Sequence, residues 1–155
     1  MLNILPSWLN FSTINPWLVA IALNSILLIV ATIIPKKLLT PAGLINAWGL
    51  GVVVWGTLGW RGYGVVMFYF LVGSAVTRIG MAQKEAEGIA EKRGGARGPE
   101  NVWGSAFAAT ICAIAVAAIR LGWLDAGWES LLLLGYVASF STKLADTTAS
   151  EVGKA

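Results

Sequence analysis

The chain has 155 residues, of which 57% are hydrophobic and 12% charged, with a formal net charge of +3 and a mean hydropathy of +0.73. An ordinary soluble domain carries about 25% charged residues, so the balance excludes a water-soluble core and makes the lipid bilayer the relevant solvent. With no histidine and a single cysteine, Cys112, the chain also lacks Ser/His and Cys/His nucleophile pairs, an intrachain disulfide and the commonest zinc ligand.

No charge precedes Lys36, so the start lacks the basic segment of a secretory signal peptide and reads as mature protein. At about 20 residues per crossing, fewer at an edge, five spans follow in order. The first, 16–34, is entered through Pro16 and left at Pro35-Lys36-Lys37. The second, 43–60, is separated from the third, 63–77, by Arg61 and Gly62 alone, which predicts a tight turn at those two residues. The loop 78–101 carries a short predicted helix over 82–93, ended by Gly94-Gly95. The fourth span is 102–121, with Cys112 at its middle as an apolar packing residue. The fifth, 131–149, differs in its second half, which carries Ser139, Ser141, Thr142, Lys143, Asp146 and Thr147.

These elements predict an all-α, polytopic transmembrane helical bundle forming a single domain over 1–155. Trp8, Trp17, Trp60, Trp103, Trp123 and Trp128 fall near proposed span ends, where amphipathic rings sit at the headgroups. Small residues within spans, such as Gly49, Gly51, Gly56, Gly73, Ser74, Ala75, Ala108 and Ala109, suit close helix packing.

Counted by connection, Lys and Arg number two after span 1 (Lys36, Lys37), one after span 2 (Arg61), five after span 3 (Arg78, Lys84, Lys92, Arg93, Arg97) and one after span 4 (Arg120). The positive-inside rule then places the N-terminus outside and loops 1 and 3 on the cytoplasmic-equivalent side. Five spans return the Lys143–Glu151 segment to that side, where soluble nucleotides and phosphorylated metabolites are available. Topology accounts for the basic residues, and no nucleic-acid partner is expected, since no aromatic-basic platform accompanies them.

At 100° per residue, Ser139, Lys143, Asp146, Thr147, Ser150 and Glu151 share an arc of roughly 140°. Lys143 and Asp146 are i,i+3 neighbours able to pair. Asp146 and Glu151 are hard oxygen ligands, either of which could hold a magnesium ion that keeps its other sites for water and phosphate. The plainer reading is a solvated helix end; the sharper one follows because ionisable residues in a span commonly mark a working site. In loop 3, Glu85, Glu87, Glu91, Lys92 and Arg93 read as solvated surface. Ser74, Thr77 and Arg78 share a face at the end of span 3, and Arg97, Gly98 and Asn101 stand where span 4 begins. A helix N-terminus with a bidentate Arg suits an anion. No GxxxxGK[ST] loop is present, and the only aspartates, Asp125 and Asp146, cannot build the paired Asp-rich motifs of prenyltransferases or the multi-Asp signature of CDP-alcohol phosphotransferases.

The runs GSAVTRIGMAQKEAEGIAEKRGGARGPENVWGSAFAAT and FSTKLADTTASEVGKA resemble the integral membrane family that includes animal transmembrane protein 19 and the chloroplast phytyl-phosphate kinase, especially its cyanobacterial and plastid branch. The likeness covers roughly residues 40–155, and its most specific part is D-T-x-x-S-E-x-G at Asp146 to Gly153. Thr77, Arg78, Lys84, Gly95, Arg97, Asn101 and Val102 carry the T-R, K, G-x-R and N-V elements. The resemblance implies transfer of a phosphoryl group from a nucleoside triphosphate, CTP among the candidates, to phytyl or a related polyprenyl phosphate, supplying phytyl diphosphate for tocopherol and prenylquinone synthesis in phytol salvage. Carried onto this chain, it implies Lys143, Asp146 and Glu151 as catalytic residues, with Asp146 and Glu151 on magnesium. Thr77, Arg78, Lys84, Arg97, Asn101 and Ser150 are then the substrate contacts. It also implies a cyanobacterial inner or thylakoid membrane, or a plastid membrane. Family members continue past the Glu151 helix with further spans and Gly/Thr-rich motifs, so the chain is expected to be an N-terminal portion. The rival reading is a small transporter or channel subunit with a Lys143/Asp146 polar pathway. Oligomeric state is left open.

Overall fold

The computed structural model describes residues 15–34, 38–88 and 96–153, without the side chains of residues 82 and 83. Within them the chain is helical: α1 Pro16–Ile33, α2 Pro41–Thr77, α3 Met81–Ala86, α4 Pro99–Arg120 and α5 Glu129–Val152, the last preceded by a 3-10 turn at Ala126–Trp128. Three of these helices open on a proline at the first turn, where a missing N–H costs nothing. Side-chain oxygens cap two of them: Asn15 Oδ1 accepts from Trp17 N at 2.9 Å and Thr40 Oγ1 from Gly43 N at 3.0 Å. Asp125 Oδ1 does the same for Gly127 N before α5, at 2.8 Å.

Straight, the 37 residues of α2 would reach about 55 Å, far more than the bilayer core of about 30 Å. Instead α2 folds back on itself. Gly43, near its start, and Gly73, near its end, both pack against Arg97. The fold is at Gly59, whose φ of 67° and ψ of −159° belong to glycine alone. The turn expected at Arg61-Gly62 is therefore displaced to Gly59, and helix resumes without a loop. Carbonyls near the break find other donors: Arg120 Nη1 donates to Thr57 O at 3.0 Å, and the Tyr136 hydroxyl to Gly62 O at 2.7 Å.

Among the described residues α1, α2 and α4 are the helices long and apolar enough to cross a membrane; the two arms of α2 on either side of Gly59 overlap the predicted spans 43–60 and 63–77. α5, expected as the fifth span, has spanning length, but its polar second half keeps it out of that group. α4 and α5 begin two or three residues before their predicted spans, and α5 stays helical to Val152. The helix expected over 82–93 is shorter in the structure: α3 ends at Ala86 and the chain turns at Gly88, whose φ is 70°; residues 89–95 fall outside the described residues, as do Trp8, Lys36 and Lys37.

The core is built where α4 shows Ala106, Ala109, Ala113 and Val116 on one stripe, letting Val54 of α2 and Tyr136 and Phe140 of α5 approach. Gly51 and Gly56 serve the close approach of α1, because a Cβ there would strike Asn24 and Trp17. Gly49 has open space around it and Ala108 is exposed, so neither takes the packing role its size suggested. Outward faces are apolar, with Leu18, Ile26, Ile29, Phe107 and Ile111 exposed, which is the surface a bilayer wets. Trp60, Trp123 and Trp128 are exposed at the Gly59 end, placed for the headgroup level.

Candidate functional site

At the opposite end of the bundle the connections before α2 and before α4 are tied together. Arg97 N donates to Leu38 O at 2.9 Å and Thr40 N to Arg97 O at 3.0 Å, forming a parallel bridge between Leu39 and Arg97. The Arg97 backbone is thus fixed twice, and its side chain is turned inward, 9% exposed. Nη1 donates to the Tyr69 hydroxyl at 3.1 Å, and the guanidinium carbon lies 5.4 Å from the Tyr69 ring centroid. Two glycines make room: a Cβ at Gly43 would lie 2.4 Å from Arg97 O, and one at Gly73 would lie 2.7 Å from Nη2.

Around Arg97 is a polar pocket of about 230 Å³, lined by residues from α2, α4, α5 and the segment entering α4. It gathers five residues singled out from the sequence: Thr77, Arg97, Asn101, Lys143 and Thr147. Thr77 Oγ1 is spent on Gly73 O at 2.9 Å, whereas Asn101 is exposed on the first turn of α4. Tyr69, Ala96, Glu100, Gly104 and Ser105 complete the lining. Ser105 is held by Asn101 O at 2.9 Å and bonds the Tyr69 hydroxyl. Tyr69 and Ser105 were legible only as helical neighbours of Gly73 and Asn101; nothing local marks them as polar lining.

The remaining residues lie elsewhere. Lys84 and Glu151 form a buried ion pair, Nζ to Oε2 at 3.0 Å, with side chains 1% and 4% exposed. Lys84 Nζ also donates to Ile79 O at 2.6 Å, so the pair fastens the turn after α2 to the end of α5. Asp146 is exposed and accepts from Lys143 Nζ at 2.7 Å. Arg78 is half-buried and Ser150 exposed, both outside the pocket lining. Ser74 is buried with its hydroxyl unpartnered among the described residues.

Asp146 and Glu151 accordingly meet different surroundings, one in solvent and one on a buried lysine. Among the described residues no cluster of three or more His, Cys, Asp or Glu could hold a metal ion. Magnesium needs only one or two carboxylates when substrate phosphates complete its shell. Among the described residues the exposed Asp146 carboxylate could therefore serve magnesium only where other ligands complete its shell, and no all-protein cage is formed.

The polar pocket adjoins a second cavity, about 280 Å³ and lined almost wholly by apolar side chains of α1, α2, α4 and Phe140 of α5. Tyr69, Arg97 and Asn101 line both. An integral membrane helical protein with a cationic pocket at one end of its bundle, opening beside an apolar cavity, is the class the geometry defines.

The chain belongs to the family described as integral membrane protein DUF92, whose model matches residues 24–155. An uncharacterized membrane protein of the cyanobacterium Synechocystis is 66% identical over 140 residues, covering 90% of this chain and 52% of that protein. The chloroplastic protein VTE6 of Arabidopsis thaliana is 40% identical over 139 residues, covering 90% of this chain and 41% of that protein. The chain spans about half the length of these curated relatives. No solved structure matches.

Proposed function

We propose that this chain carries the lipid-phosphate end of a kinase that transfers a phosphoryl group from a nucleoside triphosphate to phytyl or a related polyprenyl phosphate. The observation that carries the reading is the shared wall of Tyr69, Arg97 and Asn101 between a polar pocket and an apolar cavity. An amphipathic substrate needs that junction: a tail held among helices and an anionic head delivered to cations. Homology to the chloroplastic VTE6 relative supports the kinase class, given the resemblance to the phytyl-phosphate kinase family.

Arg97 offers a planar fork with five N–H donors, suited to bidentate contact with phosphate. Lys143, across the pocket on α5, supplies a second, mobile positive charge as the phosphoryl group passes between oxygens. The N-terminal turn of α4 adds the positive end of the helix dipole, while Pro99 has no N–H and the N–H groups of Asn101 and Val102 are taken up by Gly98 O. Phosphoryl transfer depends mostly on positioning and charge neutralisation, and the acceptor is already an anion, so the missing histidine is no obstacle. Asp146 would hold magnesium together with nucleotide phosphates, the ion neutralising charge on the transferring group. Lys84 and Glu151 act here by fixing the end of α5, and thereby Lys143, relative to α2.

The test is formation of phytyl diphosphate from phytyl phosphate, magnesium and each nucleoside triphosphate in membranes carrying the protein, with Arg97→Ala alongside. Product from the wild type and a loss of about a hundredfold or more in Arg97→Ala are expected, the cost of one charge-stabilising group. No product from a folded wild type, or undiminished product from Arg97→Ala, rejects the proposal.

A further inference from the structure

The apolar cavity ends at one level on the helices that line its length. On α1 the lining runs from Ile34 to Asn24, on the first arm of α2 it stops at Gly51, and on the second arm at Tyr63. Those three end residues meet. The Tyr63 hydroxyl donates to Asn24 Oδ1 at 2.9 Å, and a Cβ on Gly51 would lie 2.0 Å from the same oxygen. Asn24 Nδ2 donates to Ala20 O at 2.9 Å. The cluster satisfies its own polar atoms, so an apolar chain resting on it strips nothing of a partner. Behind it Ala20 and Val54 are both 0% exposed, which closes the cavity.

Helix geometry gives the depth. From Gly73, on the Arg97 guanidinium, to Tyr63 is about 15 Å, and from Gly43, on the Arg97 carbonyl, to Gly51 is about 12 Å. An extended polypeptide advances about 3.5 Å over three backbone bonds, so an isoprene unit of four bonds advances about 4.5 Å. About three units fill the space.

Resting on the lipid-phosphate reading above, we infer that the Asn24–Gly51–Tyr63 cluster is a stop that sets how much of the tail the protein encloses. It works by fit. A tail in the bilayer is already in surroundings as apolar as the cavity wall, so transfer between them supplies no hydrophobic gain. Leu27 and Val30 line the cavity while 36% and 45% exposed, so the flank beside α1 is open to lipid, and a longer tail turns out there.

The experiment measures binding of prenyl monophosphates of one, two, three and four isoprene units to the protein in nanodiscs, with diphosphate formation recorded separately. Wild type is expected to bind three- and four-unit chains alike and more tightly than the one-unit chain. Ala47→Phe places a ring on the cavity wall between Gly43 and Gly51, and it should weaken the three- and four-unit chains about tenfold or more relative to the one-unit chain. Asn24→Ala opens the stop and should make the four-unit chain the tighter of the two long ones. An unchanged length profile in Ala47→Phe overturns the stop, whether or not Asn24→Ala folds. Length-dependent binding without diphosphate formation rejects the kinase reading alone; diphosphate formation with a flat profile rejects the stop alone. Failure of the wild type to bind any of the four rejects both.

Discussion

Exchanging Glu151 for leucine tests whether the Lys84–Glu151 pair acts as a fastener. The pair is buried at both ends, 3.0 Å apart, and Lys84 has one further acceptor in the Ile79 carbonyl at 2.6 Å. Glu151→Leu leaves an ammonium group in the interior with that carbonyl alone. Removing one partner of a buried pair costs about 3–5 kcal/mol, and Lys84→Met, which strands the carboxylate, belongs in the same range. At about 2–4 °C per kcal/mol for a chain of this size, each single variant should unfold roughly 10 °C lower in mild detergent, followed by tryptophan fluorescence. The double variant Lys84→Met/Glu151→Leu removes both charges and fills the space with apolar atoms, so it should return to within about 1 kcal/mol of wild type. Diphosphate formation should return with it if Glu151 serves by holding α5. A stable but inactive double variant would give Glu151 a direct role on metal or phosphate. Losses that simply add in the double variant refute the fastener.

Three further outcomes follow from the same geometry. Gly73→Ala should push the Arg97 guanidinium off Tyr69, since its Cβ would fall 2.7 Å from Nη2; phosphoryl transfer should drop about tenfold or more, while Arg97→Lys/Gly73→Ala, with a slimmer head, loses no more than Arg97→Lys alone. Equal activity of Gly73→Ala and wild type speaks against Arg97 as the phosphate contact. Asp146→Asn should cost under about 1 kcal/mol in detergent unfolding, because its pair with Lys143 is exposed, yet raise the magnesium concentration needed for half-maximal activity; an unaltered magnesium titration removes Asp146 from the metal. Gly59→Ala should destabilise by about 1–3 kcal/mol, its φ of 67° being strained for any side chain, and a melting temperature equal to wild type contradicts the fold at that residue.

The displaced turn shows where sequence reading runs short. Gly56, Gly59, Gly62 and Gly64 all lie near the middle of α2, and each alone could break a helix. Gly56 is needed flat against Trp17 and Gly62 against Leu58, whereas Gly59 and Gly64 both have open space and only Gly59 takes the positive φ at which the chain reverses. No local pattern reveals that choice. The polar lining behaves similarly. Thr77, Arg97, Asn101 and Lys143 stood out because polar groups beside apolar spans are expensive, but Tyr69 and Ser105 are ordinary helix residues until Arg97 reaches them. Glu151 stood out for the same cost and Lys84 through the family resemblance alone, and their sequence separation hid the pairing.

By itself the sequence determined the solvent, the helical class, the bounds of the apolar spans to within a few residues, and the gathering of polar residues at one end. Hydrocarbon imposes these directly: backbone groups must be satisfied within each helix, and charges are kept to the edges. Beyond the local Lys143–Asp146 pair, only the tertiary structure decided which of those charges neutralise one another and which face a cavity. It turned Arg97 inward between two glycines, buried Glu151 on Lys84, and set an apolar cavity against the polar pocket. Those outcomes depend on how closely helices approach, and that is fixed by the absence of a Cβ at a few positions far apart in the chain.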